Sequence, residues 1–599
     1  MKDWSEMSDQ TRAIIAAALA LVVILGWGLF YKPPPPSPST QLTEATQGTT
    51  QSAGAVGAVG SNAQQFVAAA PSGGAGAATV AAVSTSAEQT VTIESDLYRV
   101  MLSNRGAVAR SWQLTKYTDE HDPPRTLDLI QSDASQAAGG WPFSLQMSDP
   151  QIEAAANQGL YVVTQSGAAL SGATLTAPAE LEFRWSDGQL EVSKRWKFDR
   201  SYTVELETTV RRNGQPVAHR VAWRGGFGDV TAFRAAIQTL AFAGTAGNIN
   251  TLAIKKLGVS GQPTVPAEQP GAFDAAGIED LYFTAAFLPP APPPGQPVPA
   301  DLTLAAWQLI RNVQVDGKTQ QEILPEVAAG LTTVGPQAFR VFVGPKDLDT
   351  LKAVRPPLNG LVQFGWFGFI AEPLFYSLRW LHRYVPNYGW AIVIMTLAIN
   401  MVLYPLKVKS WRSMQKMQKV APEIKQIQDR YKKYSMRDPR KQEMNKEVMA
   451  VYSREGINPM GSCLPTVIQM PIWFGLYRML TVTMELRHAP WILWIHDLSG
   501  RDPYYILPVL MAVLMYAVTK MTPQTISDPS QQRMMALMPV MFGGMFIIFP
   551  VSSGLVLYIL TSNFVAMVQQ WHLNRTSPLK PPKVKKRQRA ELGGTVPSA

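Results

Sequence analysis

GWAIVIMTLAINMVLYPL, residues 389–406, decides the class of this chain. It is apolar over close to the length a membrane-crossing helix needs, about 20 residues at 1.5 Å of rise each. Thr396 and Asn400 nevertheless stand one turn apart on the same helical face. A side-chain amide in hydrocarbon is costly without partners, so an intramembrane polar group is a functional candidate by default.

Outward from that stretch, which predicts a span over 388–408, apolar runs of spanning character recur at 463–484, 504–521, 534–550 and 553–573, and one lies upstream at 13–31. Together they predict six transmembrane helices. The run at 13–31 ends in bulky aromatics and then Pro33–Pro36, without a small-residue cleavage pattern, so it reads as an uncleaved anchor after a short cytoplasmic N-terminus (1–12). Pro471, Pro508 and Pro539 fall inside spans and predict kinks. Residues 32–90 are Pro, Ala, Gly, Ser and Thr with almost no charge, the composition of a flexible linker.

The chain has 599 residues, 46% hydrophobic, with a formal net charge of +10. Its basic residues concentrate in KVKSWRSMQKMQKVAPEIKQIQDRYKKY (407–434) and in the tail KPPKVKKRQRA (580–590). Both flank apolar spans, so the positive-inside rule explains them better than direct DNA binding does. The single cysteine, Cys463, excludes an intrachain disulfide, and the six histidines show no pair at metal-ligand spacing. No phosphate-binding P-loop pattern is present.

Residues 91–346 have a different texture. YTVELETTV alternates apolar Tyr202, Val204 and Leu206 with polar Thr203, Glu205 and Glu207, the period of a half-buried strand. Asp187-Gly188, Asn213-Gly214 and Asp316-Gly317 each separate two such runs, as tight hairpin turns do. Three hairpins predict a large antiparallel β-sandwich. Next, 367–385 places Leu374, Phe375, Leu378, Leu381 and Val385 on one face and Arg379, His382 and Arg383 on the other, which suits a helix lying in the membrane interface. Residues 409–459 repeat apolar positions every three or four residues, restart at Asp438-Pro439 and stop at Gly456: a helical hairpin. Its lysines and arginines make it cytoplasmic. That places the β domain outside, which in a bacterial inner-membrane protein would mean the periplasm, with both termini and the basic tail (574–599) inside.

Arg478 is the sharpest intramembrane charge. With its helix beginning near Cys463 it lies about 22 Å along the axis, in the outer part of the bilayer. It either snorkels towards the periplasmic surface and Glu485 or lines a water-filled cavity.

INPMGSCLPTVIQMPIWFGLY (457–477), ELRHAPWILWIHDLSGRDPYYILP (485–508) and SGLVLYILTSNFVAMVQQ (553–570) closely resemble the YidC/Alb/Oxa family of membrane protein insertases. The resemblance implies a five-helix insertase core around a hydrophilic groove open to cytoplasm and lipid, and a periplasmic β-supersandwich similar to mutarotase folds. It further implies a chaperone-like insertase without cofactor or enzymatic chemistry. The implied partners are nascent membrane proteins, the SecYEG translocon, the lipid bilayer, and the ribosome through the basic tail and cytoplasmic loops. The groove residues it implies here are Thr396, Asn400, Gln469, Arg478, Tyr516, Thr519 and Asn563. The family's groove arginine falls at Asn400, and the expectation is that Arg478 on a facing helix supplies the missing charge. Met414, Met417, Met444 and Met449 either offer a soft recruiting surface on the hairpin or pack it internally. Two other classes fit the residues less well. A secondary transporter or channel with a site at Asn400 and Arg478 lacks inverted repeats, and a tethered periplasmic carbohydrate enzyme would need only one span.

Overall fold

The computed structural model describes residues 81–576 apart from 122, 233–239, 246, 253–266, 294–295, 316–317, 435–437, 458–463, 523–528 and 549–550. The expected first span, most of the linker, Cys463 and most of the basic tail lie outside the described residues. The linker ends sooner than expected, since Val83 already bridges to Ser186 and the first strand begins at Thr90.

Residues 90–345 build three sheets, one of 11 strands and two of 5. The alternation in the sequence is the reason. Leu190, Val192, Lys194, Trp196 and Phe198 point inward along one strand, and Val204, Leu206, Thr208 and Val210 along its neighbour. The Asp187-Gly188 hairpin forms as expected: Ala179–Ser186 pairs with Leu190–Phe198, and Asp187 accepts from the amides of Gln189 and Leu190 at 2.9 and 2.7 Å. Leu302–Val315 and Lys318–Leu331 likewise pair antiparallel. The Asn213-Gly214 turn also forms, but its return strand is only Gln215–Pro216. The following apolar run leaves for another sheet, where Arg220–Trp223 pairs with residues 327–329 and 144–146. Val221, Ala222 and Trp223 are buried on consecutive positions, which a strand with one solvated face cannot accommodate. Lys194, fully buried, donates to the carbonyls of Gly106, Ala107 and Phe143 at 2.7, 3.1 and 2.7 Å, so its charge is satisfied by backbone.

Downstream the chain is helical: α1 (Gly368–Tyr384), α2 (Tyr388–Arg430), α3 (Arg440–Arg454), α4 (Leu464–Val482), α5 (Ile506–Met521), α6 (Pro529–Ile548) and α7 (Ser553–Thr576). Among the described residues α2 is the one helix long and apolar enough to cross a membrane, while Ile506–Met521 and Ala536–Ile548 are shorter apolar helices. α2 runs unbroken past residue 408, so the opening stretch and the first arm of the hairpin are a single helix of 43 residues. α3 folds back on it through Val420, Ile424, Ile427 and Val451. It starts one residue later than the sequence suggested, with Asp438 accepting from the Arg440 amide at 3.0 Å. Pro508 falls in the first turn of α5, where no intrahelical hydrogen bond is lost, so the expected kink there has no cause. Pro471 and Pro539 do lie inside α4 and α6.

The segment between α4 and α5 fastens the β domain to the helices. Arg487 donates to the Asp229 carboxylate at 2.5 Å and to the Thr118 carbonyl at 2.7 Å, and both ion-pair side chains are 2% exposed. On the helical side, Asn387 caps α2 by accepting from the Trp390 amide at 3.1 Å and donates to the carbonyls of Pro490 and Trp491.

Candidate functional site

A helix repeats its face every three to four residues, so Thr396, Asn400 and Lys407 lie on one side of α2 and Tyr558, Ser562 and Gln569 on one side of α7. The two sides meet in a polar seam. The Thr396 hydroxyl donates back to the Ile392 carbonyl at 2.7 Å. Asn400 donates to the Thr396 carbonyl at 2.9 Å and to the Ser562 hydroxyl at 3.4 Å. Lys407, seven residues on, donates to Asn400 Oδ1 at 3.0 Å and to Gln569 Oε1 at 3.0 Å. Gln569 closes the ring by donating to the Asn400 backbone carbonyl at 3.3 Å. Thr396 is fully buried and Asn400 is 1% exposed, so both amide and hydroxyl depend on these partners rather than on water.

The other expected groove residues distribute around this seam. Gln469 lies half-buried on α4. Asn563 donates to its own helix at Ile559, 2.8 Å, and Thr519 to Met515, 2.8 Å. Tyr516 is exposed on α5 with the Lys520 ammonium 5.5 Å from its ring centre. Gln570 and Asn574 of α7 both reach the Met521 carbonyl, joining the ends of α5 and α7.

Arg478 does not belong with Asn400. Its Nε donates to the backbone carbonyl of Gln363 at 2.8 Å, in the segment that leads from the β domain into α1. It sits within a turn or so of the end of α4, whereas Asn400 is about 18 Å into α2 at 1.5 Å per residue. The expectation that Arg478 carries the charge opposite Asn400 is therefore corrected: depth and hydrogen bonding tie it to the β-domain end of α4. Glu485 is not its partner either, pairing instead with Arg379 at 3.5 Å.

Lys407, Ser562 and Gln569 are what sequence reasoning passed over. Lys407 opens the basic block that topology explained, and its signal was the spacing of seven from Asn400. Of the hairpin methionines, Met417 and Met444 pack in its core, Met414 is half-buried and Met449 is 40% exposed. At the domain joint the fold gathers Glu120, His488 and Asp497, with one ligand atom each within 4.8 Å of the others. Asp497 there accepts from the His488 and Ser499 amides at 2.9 and 2.8 Å, which makes it part of the joint's hydrogen bonding.

The sequence matches the 60Kd inner membrane protein family over residues 380–580 and the YidC periplasmic domain family over residues 90–377. A membrane protein insertase YidC from Syntrophus aciditrophicus is 30% identical over 583 residues, covering 94% of this chain and 99% of that protein. The chain belongs to the YidC family. A YidC insertase from Campylobacter jejuni is 46% identical over 234 residues, covering 39% of this chain and 43% of that protein. Among solved structures, an active YidC insertase with its first transmembrane domain resolved is 18% identical with a TM-score of 0.34, covering 83% of this chain and 95% of that one. This YidC-family chain is thus a membrane protein insertase of the inner membrane, with a periplasmic β-sandwich domain and a helical core. Its α2–α7 seam lies wholly inside the part matched to the 60Kd family.

Proposed function

We propose that this chain moves apolar segments of newly made membrane proteins from the cytoplasm into the inner membrane through a hydrophilic groove built on the α2–α7 seam, alone or beside the Sec translocon. The observation that carries this reading is the closed network of Thr396, Asn400, Lys407, Ser562 and Gln569 between the apolar first half of α2 and α7. A polar lining shortens the stretch of hydrocarbon that a substrate's polar residues must cross. The substrate's own apolar span then drives its release into lipid. Lys407 is half-buried at the cytoplasmic side of the seam while Thr396 is sealed, so substrate enters from the Lys407 end.

The topology that goes with this reading has six spans, both termini in the cytoplasm, and the α2–α3 hairpin projecting there. Its support is the Lys and Arg content of 407–434. In the same reading exposed Met449 and half-buried Met414 meet incoming segments, while Met417 and Met444 hold the hairpin together. The basic tail and the hairpin face the ribosome, and the apolar sides of the helices face lipid.

Reconstitution tests the reading. Full-length chain in proteoliposomes, given a single-span protein synthesised in a purified translation system, is expected to yield a protease-protected fragment that empty liposomes do not. Equal protection with and without the chain would overturn it.

A further inference from the structure

We propose that Glu120, His488 and Asp497 form a zinc site that clasps the β domain to the segment between α4 and α5. The site is independent of the groove reading above.

Convergence is the first observation. Glu120 stands just past strand Val108–Thr118 of the β domain, while His488 and Asp497 belong to the segment between α4 and α5. Far apart in sequence, the three each bring a ligand atom within 4.8 Å of the other two. The α4–α5 segment holds its own two ligands in a fixed relation. The Leu498 amide donates to the Ala489 carbonyl at 3.0 Å, the Trp491 amide to the Ile495 carbonyl at 2.9 Å, and the His488 amide to Asp497 Oδ1 at 2.9 Å. Glu120 comes from the other side of the joint, so an ion shared by all three ties two parts of the fold together.

Orientation and charge are the second observation. A metal-ligating imidazole has its other ring nitrogen held by a hydrogen bond. His488 Nδ1 meets the Thr118 hydroxyl at 3.1 Å, which leaves the Nε2 lone pair to a cation. Asp497 is half-buried, and the donors to it are neutral: the His488 amide and the Ser499 amide and hydroxyl. Among the described residues no lysine or arginine pairs with it. Arg487, its neighbour across the loop, is committed to Asp229, and Arg501 bonds the Tyr505 hydroxyl at 3.3 Å. A cavity of about 450 Å³ with Glu120, Thr231 and Gly500 in its wall lies against the cluster and gives an ion a way in.

One imidazole and two carboxylates make a zinc donor set with the fourth position left to water, whereas calcium and magnesium take oxygen ligands. At bonds of about 2.0–2.2 Å a tetrahedral ion sets its ligand atoms about 3.4 Å apart, so the cluster tightens by roughly 1 Å on binding. Glu120, the exposed member, makes that adjustment. The ion then closes the joint a second time, beside the Arg487–Asp229 ion pair.

The test uses full-length Cys463→Ser chain in detergent, stripped with a chelator and titrated with zinc chloride, with calorimetry for binding and hydrogen exchange for its effect. One zinc per chain is expected. With zinc at about a hundred times its dissociation constant, the amides of residues 484–489 should exchange at least about tenfold more slowly, while those of Leu190–Phe198 stay unchanged. His488→Gln and Glu120→Gln should each abolish that slowing. Glu120 is exposed, so its variant keeps the fold, which unchanged zinc-free exchange in Leu190–Phe198 confirms. No zinc binding, or binding that survives His488→Gln undiminished and so lies elsewhere, overturns the proposal. Slowing that persists in Glu120→Gln overturns it too, since the ion would then sit on the loop without clasping the β domain.

Discussion

Removing Arg487 should loosen the β domain from the helical core without unfolding either. Arg487 and Asp229 are each 2% exposed, so the pair is desolvated on both sides. Truncating one partner of such a pair leaves an uncompensated charge and costs about 3–5 kcal/mol. Asp229 keeps its other oxygen satisfied by the Thr231 amide, the Thr231 hydroxyl and the Ala232 amide at 2.9, 2.6 and 3.2 Å. Only Oδ2 is orphaned, which places Arg487→Ala near the lower end, about 3 kcal/mol or on the order of a hundredfold in the opening equilibrium. The free carbonyl of Thr118 adds to the same site. Native-state hydrogen exchange reads this locally: the amides of residues 484–489 and of strand Val108–Thr118 should exchange faster while those of Leu190–Phe198 do not. A double-mutant cycle with Asp229→Ala should give a coupling of at least about 2 kcal/mol, since the double variant buries no lone charge. A coupling below about 0.5 kcal/mol, typical of an exposed pair, would refute the claim that this ion pair is the fastening.

Three further outcomes follow from the same structure. His219 donates from Nδ1 to the Val217 carbonyl at 2.9 Å and faces the Thr208 hydroxyl with Nε2 at 2.8 Å; burial first, and nearby Lys194 as well, holds its pKa below the ordinary 6.5. The unfolded chain therefore takes up a proton near pH 6.5 that the folded chain refuses, and the β domain should lose stability as pH falls through that value. The pH dependence of the melting midpoint, wild type minus His219→Gln, checks this, and identical profiles would contradict it. Gly389→Ala would put a methyl 2.2 Å from the Trp491 ring and should destabilise the docking of α2 by about 1–3 kcal/mol in thermal or denaturant unfolding. Asn387→Ala removes the α2 cap and two bonds to the Pro490–Trp491 backbone, and should cost about 1–2 kcal/mol in the same measurement.

Local pattern and long-range partnership were unequally legible in the sequence. Alternation around Asp187-Gly188 and the unbroken apolar length of 389–406 gave the right elements, because both signals are local. The path of Arg220–Trp223 was not legible, since a continuous apolar run does not say which sheet it joins. Thr396 and Asn400 were recognisable as unusual by composition, but their partners Ser562 and Gln569 stand 162 and 169 residues from Asn400, a distance no spacing rule covers. Arg478 misled for the same reason. Its charge was conspicuous, yet its role depends on a single carbonyl at Gln363, 115 residues away. Lys407 was discounted because a basic residue at a helix end normally signals topology, and nothing in a linear sequence records which way its side chain turns.

Photocrosslinking to a stalled nascent membrane protein offers the most direct decision, with the probe placed in turn at positions 400, 562 and 478 of the full-length chain. Adducts from 400 and 562 with none from 478 are the predicted result, because the first two lie on the seam and the third is tied to the segment leading out of the β domain. Adducts from 478 with none from 400 or 562 would contradict the assignment of the α2–α7 seam as the path of the substrate.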